Sequence, residues 1–258
     1  MSVVDVHFAV DGPSDAPVVV LSPSLGTTLH MWDPQVARLR DRYRVVRYDH
    51  RGHGKSPVPN GPYRIGDLGG DLVRLLDTLG VEAAHVCGLS LGGMTGMWVA
   101  AHEPGRVQSL VLCCTSPHLD PAAWVQRAAA VRSGGTISVA DTVVDRWFTP
   151  PWAAAHPEAV DRVRQMIVAS PDDGYAACCD AIRTLDLRDD LPAIRARTLV
   201  VAGADDLATP PEHGRAIAGR IPDARLEILS SAAHLANIEQ AETVTELLLD
   251  HLSDEGAR

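Results

Sequence analysis

Gly88-Leu89-Ser90-Leu91-Gly92 stands between the apolar run at residues 84–87 and a helix-like stretch that begins at Gly93. The pentapeptide therefore predicts a serine on a sharp strand-to-helix turn. The glycines have a steric reason. A serine held in a strained backbone conformation brings positions 88 and 92 so close to the neighbouring strand and helix that side chains there would collide. Such a turn lifts its hydroxyl to the end of a sheet, where a nucleophile is wanted. A lone GxSxG arises by chance too often to decide a function, so its partners must be sought along the chain.

Outward from this turn, short β-branched or apolar runs alternate with amphipathic stretches, the pattern of an α/β fold with a mostly parallel central sheet and helices on both faces. Residues 3–10 and 16–21 look like an opening pair of strands around Asp11-Gly12-Pro13-Ser14, and residues 43–48, 84–87, 107–113, 198–202 and 224–229 supply five more. Helices are predicted over 34–41, 65–79, 93–102, 211–220 and 238–251. In the second of these, apolar residues at 65, 68, 72, 75, 76 and 79 share one face. From 119 to 190 the alternation breaks into a helical stretch rich in Ala, Arg and Trp. Because a strand pattern resumes at Thr198, this stretch reads as a helical cap inserted over the carboxyl edge of the sheet, inside one domain spanning 1–258.

With 258 residues and 46% hydrophobic content, the chain can bury a sizeable core. Its formal charge of −10 argues against nucleic acid or an anionic membrane surface as partner, and an anionic substrate would need local cationic help. Met1-Ser2-Val3-Val4-Asp5 does not read as a secretory leader, and no apolar run reaches membrane-spanning length, so a soluble cytoplasmic protein is expected. Cys87, Cys113, Cys114, Cys178 and Cys179 lie in apolar settings without metal-ligand spacing, which predicts reduced, packed thiols and no metal site.

A serine hydroxyl becomes a useful nucleophile only when a base takes its proton and a third group orients that base. The turn around Ser90 resembles that of the α/β-hydrolases, in whose arrangement the acid follows a late strand and the histidine follows the last one. Here the run 198–203 leads into Ala204-Asp205-Asp206, and 226–229 leads into Ser230-Ser-Ala-Ala-His234. His234 lies in a small-residue loop before the final amphipathic helix; His50, His53, His213 and His251 lack that setting. Asp205 and Asp206 both qualify as the acid. The backbone N–H of Leu91, next after the serine, is one donor for a developing oxyanion. Met94, Met97 and Trp98 are expected to pack the helix after the turn.

Asp49-His-Arg-Gly-His-Gly-Lys-Ser56 resembles the DxRGxGxS segment of α/β-hydrolases. A narrower resemblance runs through Ser24-Leu-Gly-Thr-Thr28, Met31-Trp-Asp-Pro-Gln35, Gly92-Gly-Met-Thr-Gly-Met-Trp98, Arg146-Trp-Phe-Thr-Pro150, Gly174-Tyr-Ala-Ala-Cys-Cys179 and Ala208-Thr-Pro-Pro-Glu-His-Gly214. Together these are similar to the 3-oxoadipate enol-lactonases, over almost the whole chain and including the insert. The resemblance implies the α/β-hydrolase fold. It places the acid three residues after Gly203, at Asp206, and puts the second oxyanion donor at Leu25, counted back from Trp32. The chain departs from the fold's His-Gly-x-Gly pattern there, with Pro23-Ser24 instead, so Ser24 carries a side chain where glycine usually gives clearance.

The activity implied is hydrolysis of an unsaturated five-membered lactone bearing an acetate arm, by Ser90, His234 and Asp206 through an acyl-enzyme, without metal or organic cofactor. A broader carboxylesterase, or a cofactor-free haloperoxidase-like perhydrolase, could use the same residues under a different cap. The substrate carboxylate calls for a cation in the cap. Trp124 and Arg127, three apart on a helical face, could wall the ring and meet the carboxylate, with Trp147, Arg146 and Arg132 as further candidates.

Overall fold

The computed structural model describes residues 3–253. Its seven strands are β1 (Phe8–Asp11), β2 (Val18–Ser22), β3 (Arg44–Tyr48), β4 (Ala84–Leu89), β5 (Val107–Cys113), β6 (Arg197–Gly203) and β7 (Arg225–Leu229), in the sheet order β1-β3-β2-β4-β5-β6-β7. Only β1 runs antiparallel, against β3; the other pairings are parallel. The opening pair is thus not a hairpin, because β3 lies between its members. Every residue of β2 after Val18 is buried, and such a strand needs partners on both edges, whereas β1 alternates exposed and half-buried residues and suits the rim.

The helices are α1 (Asp33–Leu39), α2 (Ile65–Thr78), α3 (Leu91–His102), α4 (Pro121–Gly134), α5 (Ile137–Val144), α6 (Pro150–Ala155), α7 (Pro157–Val168), α8 (Asp172–Arg183), α9 (Pro211–Ala218), α10 (Ala236–Glu239) and α11 (Ala241–Ser253). Helix α2 buries Ile65, Leu68, Leu72, Leu75 and Leu76, the stripe set by its apolar spacing, and packs on α3. The final helical stretch divides in two at Gln240, whose side-chain amide donates to the carbonyls of Ser230 and Ser231. Helices α4 to α8 fill the insertion between β5 and β6, with α4 packed along α8. No helix among the described residues is long and apolar enough to cross a membrane.

The strand order decides where chemistry can sit. After β2 the chain moves outward to β3, then crosses back to lay β4 on the other side of β2. The loops leaving β2 and β4 therefore diverge from neighbouring strands and leave a crevice at their carboxyl ends. The segment 49–56 buttresses this crevice from beneath. Arg51 is buried in a two-pronged ion pair with Asp71 of α2, at 2.6 Å to each oxygen. Removing one partner of such a pair would strand a buried charge, at a cost of about 3–5 kcal/mol.

Candidate active site

Ser90 follows β4 directly and has φ 56° and ψ −114°, a conformation that L-residues rarely adopt. It is held there by its own N–H, which donates to the Cys113 carbonyl at 3.0 Å, and by Thr115 Oγ1, which donates to its carbonyl at 2.7 Å. The flanking glycines are sterically required: a Cβ on Gly88 would stand 2.2 Å from the Gly92 carbonyl oxygen, and one on Gly92 would stand 2.1 Å from that of Ser22. Leu91 opens α3, so its N–H is one of the four that a helix leaves without an internal acceptor.

Across the crevice, the loop after β2 is pinned on both sides of Leu25. His50 donates from Nε2 to the Pro23 carbonyl at 3.1 Å, and His53 Nε2 accepts from the Gly26 N–H at 2.9 Å. Burial pushes His50 down to about 3 and His53 down to about 4, so both rings are neutral at physiological pH, as the acceptor role of His53 demands. Asp49 accepts the Leu29 N–H at 2.8 Å and the Lys55 N–H at 3.0 Å, tying the 49–56 segment to the same loop. Tyr175 of α8 packs on Gly26, where any Cβ would meet its ring at 2.9 Å.

The carboxylate after β6 and the imidazole after β7 meet. His234 Nδ1 donates to Asp206 Oδ2 at 2.9 Å, and both side chains are buried. Asp206 Oδ1 also accepts the N–H groups of Ala208 and Thr209, at 2.7 and 2.9 Å, while Oδ2 accepts the Thr209 hydroxyl at 2.7 Å. Burial opposes the charge, yet the facing His234 and these donors prevail and hold the carboxyl down to about 2. Asp205, its neighbour, stands exposed with its N–H on the Ala232 carbonyl. With Nδ1 committed to Asp206, the other nitrogen of His234 is the one left for chemistry.

Ser90, His234 and Leu25 line one cavity of about 160 Å³, together with Trp124, Arg127, Arg146 and Trp147 from the insertion. The Arg127 guanidinium lies 4.7 Å from the centroid of the Trp124 ring and, among the described residues, has no carboxylate partner. The Trp147 ring lies 5.8 Å from that of His234. Arg146 donates to the Leu207 carbonyl, and also lines a larger outer groove with Phe148, Trp152 and Pro210. Arg132 is paired with Asp180 and is not among the residues that line the cavity. Met94 and Met97 are buried in the core, and Trp98 stacks on His102.

Three residues here escape sequence reasoning. Thr209 could have been suspected, since a hydroxyl three residues after a turn aspartate commonly closes back on it. His53 lies in the recognisable 49–56 segment, but nothing there announces its bond to Gly26, and Glu239 carries no local signal. Glu239 is nearly buried and joins two distant segments, accepting the Thr149 N–H at 3.0 Å and the Thr149 hydroxyl on one oxygen and the Ala233 N–H at 2.7 Å on the other. The Leu235 N–H donates to the Trp147 carbonyl at 3.0 Å, so the loop bearing His234 is fastened to the insertion on both sides.

The geometry has counterparts. The family described as the alpha/beta hydrolase fold matches residues 17–141 and 147–241. The chain is 41% identical to 3-oxoadipate enol-lactonase 2 of Acinetobacter baylyi over 238 residues, which is 92% of this chain and 89% of that one. The crystal structure of the enol-lactonase from Burkholderia xenovorans superimposes with a TM-score of 0.95 at 43% identity, over 96% of each chain. A thermophilic esterase from Thermogutta terrifontis superimposes with a TM-score of 0.91 at 31% identity, over 96% of this chain and 92% of that one.

Proposed function

Because the chain belongs to the alpha/beta hydrolase fold family, we propose that it is a serine hydrolase that opens the ring of 3-oxoadipate enol-lactone to give 3-oxoadipate. The observation that carries the reaction class is the buried Asp206–His234 contact bordering the cavity that Ser90 lines. The similarity to enol-lactonases carries the substrate.

In this reading His234 takes the Ser90 proton as the hydroxyl attacks the lactone carbonyl, and Asp206 stabilises the imidazolium that results. The N–H groups of Leu25 and Leu91 receive the negative charge on the carbonyl oxygen. Collapse of the tetrahedral intermediate breaks the ring C–O bond. The departing oxygen takes the proton from His234 as an enol, which tautomerises to the ketone while the acyl group stays on Ser90. Water, deprotonated by His234, then displaces Ser90 and completes the turnover, with no metal or organic cofactor. The insertion acts as a cap in which Arg127 neutralises the acetate arm and Trp124 and Trp147 wall the ring. A cation with no carboxylate partner among the described residues suits this task, because a carboxylate entering such a cavity in a chain of charge −10 is otherwise disfavoured. A cytoplasmic location fits this role.

The test follows the loss of enol-lactone absorbance with wild type and Ser90→Ala, alongside labelling by a fluorophosphonate. Ser90→Ala is expected to lose turnover by at least about 10⁴-fold and to lose labelling entirely. Turnover that survives the substitution would overturn the proposal. An esterase of wider range, favoured by the similarity to the Thermogutta terrifontis enzyme, predicts instead that wild type cleaves an uncharged ester as fast as the acidic lactone.

A further inference from the structure

We propose that the hydroxyl of Ser24 is a third hydrogen-bond donor to the acyl oxygen of the substrate, beside the N–H groups of Leu25 and Leu91. The inference rests on the serine-hydrolase reading above and adds a residue to its machinery.

Ser24 is fully buried, and its Oγ has no hydrogen-bond partner among the described residues. Buried polar atoms are nearly always paired, and an orphan hydroxyl is a standing cost to the fold that needs a compensating reason. The rest of the residue is committed: its N–H faces Met31 Sδ at 3.1 Å, and its carbonyl accepts the Thr27 hydroxyl at 2.8 Å and the Thr27 N–H at 3.2 Å. The hydroxyl alone is left over. Ser24 is one of the residues that line the same cavity as Ser90 and His234, so the cavity is where a partner for its hydroxyl can enter.

The class of partner follows from position. Ser24 precedes Leu25 in a loop held rigid by His50 on the Pro23 carbonyl and by His53 on the Gly26 N–H. Because Ser24 and Leu25 both line the cavity, the hydroxyl is assigned to the oxygen that the Leu25 N–H is proposed to serve. A hydroxyl hydrogen also rotates freely about its C–O bond and can follow the oxygen as it moves from the planar carbonyl to the tetrahedral oxyanion. Because the loop is already fixed, little reorganisation is needed at the moment charge develops. The chain thus exchanges the clearance of a glycine at this position for an additional dipole aimed into the site.

Ser24→Ala tests the assignment, since it removes one oxygen and no hydrogen bond among the described residues. The expected result is a fall in kcat of roughly 10²-fold with KM nearly unchanged, a parallel fall in the rate of fluorophosphonate labelling, and a thermal midpoint equal to or above that of wild type. A kcat that falls less than about fivefold, or a loss expressed in KM alone, overturns the role, because the hydroxyl then does nothing specific to the developing charge. A lowered thermal midpoint also overturns it, by revealing a structural partner. Ser90→Ala, run in the same assay, separates the two levels. If it stays active, the nucleophile assignment falls. If it is inactive while Ser24→Ala is normal, only the third donor falls.

Discussion

His53 and Gly26, 27 residues apart, are joined by a hydrogen bond in which the histidine is the acceptor, one residue beyond the proposed oxyanion donor Leu25. An acceptor nitrogen cannot be protonated, so the loop after β2 is sensitive to acid. Burial holds His53 down to about 4, against an ordinary value of 6.5. Between those values the unfolded chain binds a proton that the folded chain does not. Stability therefore rises with pH through this window and is lost as pH falls through it. Urea unfolding at pH 7, 6 and 5 should show His53→Gln, which keeps an acceptor but does not titrate, with a slope smaller than wild type by up to about 1.4 kcal/mol per pH unit. Parallel slopes would contradict this.

Thr209 supplies both a hydroxyl and an N–H to Asp206. Thr209→Val removes the hydroxyl and should cost about 1.5–3 kcal/mol at pH 7, the range for a hydrogen bond to a charged group. Asp206 has its carboxyl depressed to about 2, so the stabilisation from its charge is present above the unfolded value near 3.8 and is lost as pH falls through the folded one. The difference between wild type and variant should accordingly shrink between pH 4 and pH 2, as read from thermal midpoints.

Arg127 and Arg146 both line the cavity without a carboxylate partner among the described residues, but Arg146 already donates to the Leu207 carbonyl, which leaves Arg127 as the proposed receptor. Arg127→Ala should raise KM for the acidic lactone by about 10- to 100-fold and leave a neutral ester within about twofold, matching the worth of a charge-assisted pair. Arg127→Lys should recover only part of the loss, since an ammonium cannot grip a carboxylate with two parallel bonds. Equal losses on both substrates would remove Arg127 from the carboxylate role.

Gly92 meets backbone, which cannot yield as a side chain does: a Cβ there falls 2.1 Å from the Ser22 carbonyl oxygen. Gly92→Ala should force α3 away from β2 and destabilise the protein by about 3 kcal/mol or more, read by thermal or urea unfolding. Wild-type stability in this variant would contradict the steric account of the elbow.

The elements legible in the sequence are those whose cause is local. Two glycines around Ser90 declare a turn, and the apolar stripe of α2 declares its buried face. The place of β1 at the rim is not legible, because pairing depends on which edge of the largely buried β2 must be covered, a property of the assembled sheet. Among the site residues, Asp206 and His234 carry a signal in following late strands. His53, Thr149 and Glu239 do not. Glu239 and Thr149 lie 90 residues apart, and nothing near either one announces the other.

The fastening of the His234 loop to residues 147–149 has a further consequence. Leu235 and Ala233, on either side of the histidine, are bonded to the insertion directly or through Glu239. Were that end of the insertion to lift and admit solvent, the strain would pass along both bonds and draw the imidazole off its aspartate. A displacement of residues 147–149 would therefore reach the Asp206–His234 contact through both backbone neighbours of the imidazole at once.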